Sequence, residues 1–256
     1  MENKTCSTAF IDVVISISHL EKIADPISSI FMKLSIIIPI LNEASRIPQL
    51  LEELKQLEQS SCEIIIVDGG SKDDSVEIAE HAGFRVEKTT RGRAHQMNTG
   101  AKQATGSVLL FLHADTQLPD TVDSLVKKTF SDNPSSCWGY FRVRIAGYSK
   151  VLYIIGFMMN LRSHLTNIVT GDQVIFVKKK DFLKAGCFPE QLLMEDIELS
   201  KKLRTLSRPS CINYHVITSG RRWELHGVWR TIFLMWRLRW DYWRGIPANQ
   251  LAGKYQ

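Results

Sequence analysis

Two aspartates stand at the ends of apolar segments, where their carboxylates could bind a ligand. Asp115 follows the apolar run VLLFL at residues 108–112, and Asp68 closes the run EIIIVD at Glu63–Asp68. Such short runs are typical of strands buried on both faces of a parallel sheet, and ligands bind beyond the carboxyl ends of such strands. A carboxylate there suits a divalent cation, and a cation suits a diphosphate. The alternative for Asp115 is that it only caps a turn.

The segments around these aspartates alternate between strand and helix patterns. Strands are predicted at residues 34–39, 63–68, 84–87 and 108–112, and helices at residues 50–57, 75–82 and 94–104. This alternation predicts an α/β fold with a mostly parallel sheet flanked by helices. The second half is more mixed, with strands predicted at residues 137–145, 174–177 and 211–217, and helices at residues 151–161, 180–186 and 192–203.

The bulk properties narrow the possible classes of protein. The chain has 256 residues, enough for one large domain or one domain with an appendage, and residues 1–31 are expected to be an N-terminal extension, with Met32 as a candidate start. The net charge of +5 is too small to argue for a nucleic-acid partner. The five cysteines are dispersed without a CxxC spacing, so we expect neither a disulfide framework nor a zinc site. We therefore expect a cytoplasmic location.

Five short motifs occur in the order seen in family 2 glycosyltransferases with the GT-A fold. They are PILNE at residues 39–43, VDGGS at 67–71, HAD at 113–115, Glu195-Asp196 and Arg222-Trp223. The chain resembles this family over about residues 33–225, and most closely resembles a small bacterial subgroup named for arsenosugar biosynthesis, with RGRA, HAD and an aromatic tail. The resemblance implies a GT-A, Rossmann-like domain at residues 32–225 and a tail at 226–256. It also implies an inverting transfer of sugar from a nucleotide-diphosphate donor, expected to be linked to UDP, to an acceptor hydroxyl.

The resemblance also implies a donor site. Pro39 would end the first strand, and Asp68 would accept a hydrogen bond from a uracil ring while Gly69 lets the backbone approach the ligand. Arg91 and Arg93 would hold phosphate through paired hydrogen bonds. There is an alternative for each part of this site. Residues 68–71 could form a helix N-terminus capped by Ser71, Arg91 and Arg93 could lie on a solvated basic turn, and Asn98 could serve only in packing. The implied donor-site residues are Pro39, Asn42, Glu43, Asp68, Gly69, Arg91, Arg93, Asn98, His113, Ala114 and Asp115.

The DxD motif of the family is HxD in this chain. Asp115 matches the second acid, which ligates Mn²⁺ or Mg²⁺, whereas His113 replaces the first. His113 could bind a ribose hydroxyl or lie near the metal as a neutral imidazole, and the loss of one carboxylate favours Mn²⁺ over Mg²⁺. The alternative for His113 is a buried, satisfied histidine.

Asp196 matches the catalytic aspartate of the family. It would act as the general base on the acceptor hydroxyl, and Glu195 beside it in a partly desolvated cleft would favour a raised pKa. The alternative is that Glu195, Asp196 and Glu198 only place negative charge in the first turn of a helix. Asp172 is expected to line the acceptor side.

Arg222 and Trp223 match the end of the QxxRW motif. Arg222 would stabilise the diphosphate and Trp223 would form a stacking wall for the acceptor. The alternative is an arginine pair on a solvated turn with a packed tryptophan. Because Ser219 stands where the motif has Gln, a single transfer is expected rather than polymerisation.

The tail at residues 228–244, VWRTIFLMWRLRWDYWR, is too charged to span a bilayer. Its aromatic and arginine content predicts peripheral binding to an anionic membrane surface on the cytoplasmic side, with a lipid-like or amphiphilic acceptor possible. The alternative is a helix packed on the body of the protein or a dimer interface.

Two other functions compete with glycosyl transfer. A nucleotidyltransferase would carry a glycine- and arginine-rich loop after the first strand, where this chain has PILNE. A non-catalytic, membrane-associated nucleotide-binding protein would not need Asp68, Asp115 and Asp196 together.

Overall fold

The structure is a computed structural model that describes residues 32–59 and 62–255. Its first half alternates strands and helices, as the apolar periodicity predicts. The strands are β1 (Leu34–Ile40), β2 (Glu63–Asp68), β3 (Val86–Lys88) and β4 (Val108–Phe111), and the helices are α1 (Ile47–Gln59), α2 (Ser75–His81) and α3 (Arg93–Gln103). The predicted extension at residues 1–31 lies outside the described residues.

Strand β1 lies at the centre of a parallel unit. Strands β2 and β4 pair with it on opposite sides, with Ile37 in register with both Ile65 and Phe111, and β3 pairs with β2. The carboxyl ends of these parallel strands therefore meet at one edge of the sheet, where α/β folds bind ligands. The segments after β1, β2 and β4 carry most of the predicted donor-site residues to that edge.

The second half completes a mixed sheet of eight strands, in the order β3-β2-β1-β4-β7-β6-β8-β5. Strand β7 is antiparallel to both β4 and β6, whereas β8 is parallel to β6 and antiparallel to β5. The elements are β5 (Thr116–Gln117), α4 (Val122–Asp132), β6 (Trp138–Ala146), α5 (Lys150–Thr166), a 3₁₀ helix (Gly171–Gln173), β7 (Ile175–Lys178), α6 (Lys179–Lys184), α7 (Glu195–Leu203), β8 (Ser210–Ser219), α8 (Arg221–His226), α9 (Val228–Trp243) and α10 (Ala248–Tyr255).

Two local expectations were wrong, and one helix was missed. Pro39 does not end β1, which continues to Ile40; Pro39 is tolerated because the pairing of β1 with β4 stops at Ile37, so no ladder bond on that side needs its missing N–H. Helix α7 begins at Glu195 rather than at residue 192, because Met194 has a left-handed backbone with φ of 64°. Helix α4 was not predicted.

The sheet separates two apolar cores. Alternate residues of the central strands point to opposite faces, so α1, α2 and α4 cover one face while α3, α6 and α7 cover the other. Helix α3 approaches the sheet closely at Gly100, where an added Cβ would lie 2.5 Å from Ile37 Cγ2. This contact brings the start of α3 to the carboxyl edge of the sheet.

Helices α9 and α10 dock on the start of α7 through a smaller apolar cluster. Its buried members are Met194, Ile197, Leu238 and Leu251. The cluster holds α9 beside the first turn of α7, where the predicted catalytic residues lie.

Candidate active site

Hydrogen bonds join the loops that follow β1 and β2. The Asp68 carboxylate is only 4% exposed and accepts the backbone N–H groups of Gly70 at 2.9 Å and Ser71 at 3.0 Å. Ser71 Oγ accepts the Asn42 N–H at 2.9 Å, and Asn42 Oδ1 accepts the Lys72 N–H at 2.8 Å. These bonds fix both loops, and Asn42 adopts a φ of 55° within them. The alternative of a helix capped by Ser71 is wrong, because α2 begins at Ser75.

Glu43 and Asp115 converge from the ends of β1 and β4. The Glu43 N–H donates to Ser75 Oγ at 2.8 Å, which anchors this residue to the start of α2. Burial, with the negative charge of Asp115, raises the pKa of Glu43 against the opposing charges of Arg46 and Arg221. Glu43 therefore lies within electrostatic range of a second carboxylate and of an arginine from α8.

His113 and Asp172 connect the two sides of the cleft. His113 Nδ1 lies 3.6 Å from Asp172 Oδ1, with side-chain exposures of 14% and 44%. Desolvation in the cleft would raise the pKa of Asp172, but the contact with His113 and the charges of Arg93 and Arg239 outweigh it and lower that pKa. A Cβ on Gly171 would lie 2.4 Å from the His113 ring, so only glycine leaves room for this packing.

Asp196 is held at the start of α7 by two backbone donors. Its Oδ2 accepts the Gly171 N–H at 2.8 Å, and its Oδ1 accepts the Ile197 N–H at 2.7 Å. The bond to Gly171 ties the start of α7 to the 3₁₀ helix that carries Asp172. Glu195 and Asp196 also stand in the first turn of α7, so the helix-terminus interpretation and a functional one are compatible.

Glu195 is the most enclosed acid of the cluster. It is 3% exposed, and its Oε1 lies 3.6 Å from Arg93 Nη1 at the start of α3. Burial and then the neighbouring Asp196 raise the pKa of Glu195, with Arg93 opposing them. Arg93 thus links the RGRA segment to the acidic pair.

The other predicted residues are placed as follows. Asn98 Nδ2 donates to the Phe188 carbonyl at 2.9 Å, and Asn98 Oδ1 accepts the Phe188 N–H at 3.0 Å. The Asn98 side chain therefore holds the loop that contains Phe188. Arg91 is exposed on the turn before α3. Ala114 is half-buried beside Asp115. Arg222 and Trp223 lie on α8, which follows β8 directly, and Ser219 at the end of β8 donates its N–H to the Asp115 carbonyl at 3.1 Å.

Sequence reasoning missed Gln96. This buried side chain donates through Nε2 to the carbonyls of Ile40 and Val67, both at 2.8 Å, and packs against Gly69. It therefore holds the ends of β1 and β2 together. A polar residue among the apolar positions of α3, next to Met97, was the available signal.

Sequence reasoning also missed Arg162 on α5 and Arg239 on α9. Burial lowers the pKa of Arg162 to about 10 and lowers that of Arg239, while the charges of Asp172 and Asp196 oppose both shifts. Both guanidiniums thus lie within electrostatic range of the same two carboxylates. A single cation in the apolar face of α5 was the available signal for Arg162.

A divalent cation at this edge would need oxygen ligands from outside the protein. Among the described residues, no group of three or more His, Cys, Asp or Glu side chains is arranged to hold a metal. Asp115 lies beside Glu43, and their mutual repulsion is what a cation would relieve. The donor set fits a cation that Asp115 shares with the oxygens of a diphosphate.

The comparisons with known proteins agree with this geometry. The profile of Glycosyl transferase family 2 matches residues 35–178. An uncharacterized glycosyltransferase of Haemophilus influenzae is 32% identical over 194 residues, covering 72% of this chain and 65% of that protein. The chain therefore spans slightly less than two thirds of the length of this curated relative.

Two solved structures share the fold. S. aureus TarS 1-349 in complex with UDP has a TM-score of 0.61 at 20% identity, over 73% of this chain and 60% of that one. Mannosyltransferase PcManGT from Pyrobaculum calidifontis, in complex with GDP-Man and Mn²⁺, has a TM-score of 0.56 at 20% identity, over 73% and 56%. The expected GT-A-like fold is confirmed, and with the family profile covering more than half of its length the chain belongs to glycosyltransferase family 2.

Proposed function

We propose that the protein is an inverting glycosyltransferase that moves a sugar from a nucleotide-diphosphate donor, linked to UDP, to an acceptor hydroxyl. The observation that carries the proposal is the placement of Asp196. Its carboxylate is held by the Gly171 N–H, beside Asp172 and His113, at the edge that also carries Asp115. A base therefore stands across the cleft from the segment expected to hold the donor.

The donor side would bind the nucleoside through its fixed loops. A carboxylate can accept about four hydrogen bonds. Asp68 keeps acceptor capacity for a uracil N–H beyond its bonds to Gly70 and Ser71. The TarS complex with UDP supports this choice of nucleotide.

The diphosphate would lie over Asp115, with Arg221 and Arg222 nearby on α8. Asp115 would hold Mn²⁺ or Mg²⁺ together with diphosphate oxygens, as the Mn²⁺ complex of the related fold suggests. When bound, the cation would neutralise charge on the departing nucleotide diphosphate. Ser219 in place of the motif's Gln supports a single transfer rather than polymerisation.

Asp196 would accept the proton of the acceptor hydroxyl. The hydroxyl oxygen then bonds to the anomeric carbon, and the bond from that carbon to the diphosphate oxygen breaks, its electron pair leaving with the nucleotide. Attack from the side opposite the leaving group inverts the anomeric centre. Asp172 and Trp223 would line the acceptor side.

We further propose that residues 32–225 form the transferase domain and that the tail at 226–256 docks on an anionic membrane surface at the cytoplasmic side. Helix α9 exposes an aromatic stripe at steps of four and three residues, each side chain between 58% and 77% exposed. The stripe consists of Trp229, Phe233, Trp236, Trp240 and Trp243. Its opposite face buries Leu238 and Asp241.

Helix α5 adds a second exposed apolar face. Its side chains that are more than half exposed are Tyr153, Ile154, Phe157, Met158 and Leu165. Exposed Arg230, Arg237 and Arg244 on and beside α9 match anionic headgroups. Within the described part of the chain, no helix is long and apolar enough to cross a bilayer. Docking at the interface would bring an amphiphilic acceptor to the cleft.

A closer kinship to the subgroup named for arsenosugar biosynthesis is part of the same proposal. It is supported by the RGRA segment, whose Arg93 reaches Glu195, by HAD, and by the aromatic tail.

The test is calorimetric titration of UDP, GDP, CMP and dTDP, each with and without Mn²⁺. We expect UDP to bind, to need Mn²⁺ for tight binding, and to lose that dependence in Asp115→Asn. Asp120→Asn, an exposed aspartate five residues further on, is the matched control. Failure of every nucleotide to bind would contradict the proposal and favour a non-catalytic protein.

A further inference from the structure

Arg162 and Arg239 stand apart from the residues assigned so far. They come from α5 and α9, the two helices that carry the exposed apolar faces. Arg162 Nη2 lies 3.5 Å from Thr170 Oγ1, next to Gly171, whose N–H binds Asp196, and the charges of Asp172 and Asp196 act on both arginines. Both arginines are half-buried, and burial and then the charge of Arg239 lower the pKa of Arg162, so each guanidinium lies within electrostatic range of the other.

Arg162 has donor capacity left over. Its Nη2 donates to Ser163 Oγ at 3.2 Å and to Thr170 Oγ1 at 3.5 Å, next to the 3₁₀ helix. Its Nε is buried without a hydrogen-bond partner among the described residues. A buried donor of this kind is costly unless a ligand or water satisfies it.

Arg239 has still more capacity. Among the described residues it forms no hydrogen bond and no ion pair within 4.0 Å, although it is half-buried. Its neighbour Leu238 is fully buried against α7, which fixes this part of α9 beside the cleft.

The nearby acids are already engaged. Asp196 uses both oxygens on backbone donors, Asp172 faces His113, and Glu195 faces Arg93. Among the described residues no carboxylate lies within 4.0 Å of either guanidinium, so N–H groups of both arginines, including the buried Nε of Arg162, remain available to a ligand. Two arginines that approach from different helices match a dianion better than a single carboxylate, and a phosphate monoester carries close to two negative charges at neutral pH.

We propose that Arg162 and Arg239 form a subsite for a phosphate group on the acceptor, next to the hydroxyl that Asp196 deprotonates. This inference rests on the proposed transferase function and narrows its acceptor to a phosphorylated hydroxyl compound. The phosphate belongs either to a soluble ester or to a lipid headgroup at the membrane surface.

The probe is inorganic sulfate, a tetrahedral dianion, titrated into the full chain with UDP and Mn²⁺ already bound so that the donor site is filled. We expect Arg162→Gln and Arg239→Gln each to raise the sulfate dissociation constant about tenfold or more, because a hydrogen bond to a charged group is worth at least that factor. Arg239→Lys, which keeps the charge, should lie between. Arg144→Gln, an exposed arginine on β6, is the matched control and should bind sulfate as the wild type does.

Competition then distinguishes the two sources of phosphate. Displacement of sulfate by glycerol 3-phosphate indicates a soluble ester, whereas displacement only by vesicles with phosphatidic acid, and not by vesicles with phosphatidylglycerol, indicates a lipid headgroup. Displacement by neither would overturn the acceptor assignment.

Two further results would overturn the subsite itself: no sulfate binding by the wild type, or binding by both glutamine variants as tight as that of the wild type. UDP affinity, measured in the same samples, reports on the proposed function separately, and sulfate can be titrated without UDP if UDP does not bind. If Arg162→Gln does not fold, Arg239→Gln alone decides the matter, because Arg239 has no bond to lose among the described residues.

Discussion

The proposed donor side and the proposed acceptor side of the site are built in different ways. On the donor side, short loops after β1 and β2 bind one another through residues close in sequence, such as Asp68 with Gly70 and Ser71. On the acceptor side, single side chains arrive from α5, the 3₁₀ helix, α7 and α9, from Arg162 to Arg239. The donor side is therefore shaped by backbone geometry, whereas the acceptor side is shaped by side chains whose substitution need not disturb the donor loops.

The largest effect is expected on the acceptor side. Asp196→Asn should lower the rate of UDP release from the donor about 10²- to 10⁴-fold, the usual contribution of a general base, while the UDP dissociation constant stays unchanged. Steady-state kinetics and calorimetry measure the two quantities. Glu198→Gln, on the same helix, is the control and should keep most of the activity. Full turnover in Asp196→Asn would show that this residue is not the general base.

A smaller effect is expected on the donor side. Gln96→Leu leaves the buried carbonyls of Ile40 and Val67 without their donor and should lower the free energy of unfolding by about 1–3 kcal/mol. UDP affinity should fall with it, because the ends of β1 and β2 separate. Chemical denaturation checks the first effect. Gln103→Leu, exposed on the same helix, should change stability little, and equal stability of the two variants would mean that Gln96 does not hold the strands.

The proposed membrane face can be tested independently of both sides of the site. The double variant Trp236→Ser with Trp240→Ser removes two exposed aromatic groups and should lower partitioning onto anionic vesicles about tenfold, without changing UDP affinity. Vesicle flotation measures the partitioning, and added salt should weaken it as well. Tyr214→Ser, an exposed aromatic residue on β8, is the control. Unchanged flotation of the double variant would favour a protein–protein interface for α9.

The smallest effect concerns pH. Burial and Asp196 raise the pKa of Glu195 in the folded state, so folding favours its protonated form. This contribution to stability is present below the ordinary value of 4.5 and is lost as the pH rises through the raised pKa. Glu195→Gln imitates the protonated form, so its free energy of unfolding should decline less over that range. Denaturation at several pH values tests this against Glu77→Gln, an exposed control, and equal slopes in both variants would contradict it.

The sequence predicted the strands of the first half more accurately than it predicted the helices α4 and α7. The strands of the first half were predicted to within one or two residues because continuous apolar runs such as EIIIVD reflect burial on both faces. Helix α4 and the start of α7 were not predicted correctly. Helix α7 cannot begin before Glu195, because Met194 has a left-handed backbone, a conformation that residue type alone does not indicate.

The candidate site divides in a similar way. The motifs indicated Asp68, His113, Asp115, Glu195 and Asp196. The structure places Asp68 and Asp115 at the carboxyl edge of the parallel strands, His113 against Asp172, and Asp196 against Gly171. Arg91 remains on an exposed turn, and Asn98 is bonded to the Phe188 loop. The roles of the predicted site residues remain proposals that the variants above test.

The sequence by itself determined the order of strands and helices in the first half and the family resemblance, because both depend on residue types at short spacing. Only the tertiary structure decided that Gln96 bridges two strand ends, that Gly171 makes room for His113, and that Arg162 and Arg239 approach the same carboxylates. The physical reason is that burial, desolvation and hydrogen-bond satisfaction belong to groups that are distant in the chain and meet only when the sheet and its helices have packed.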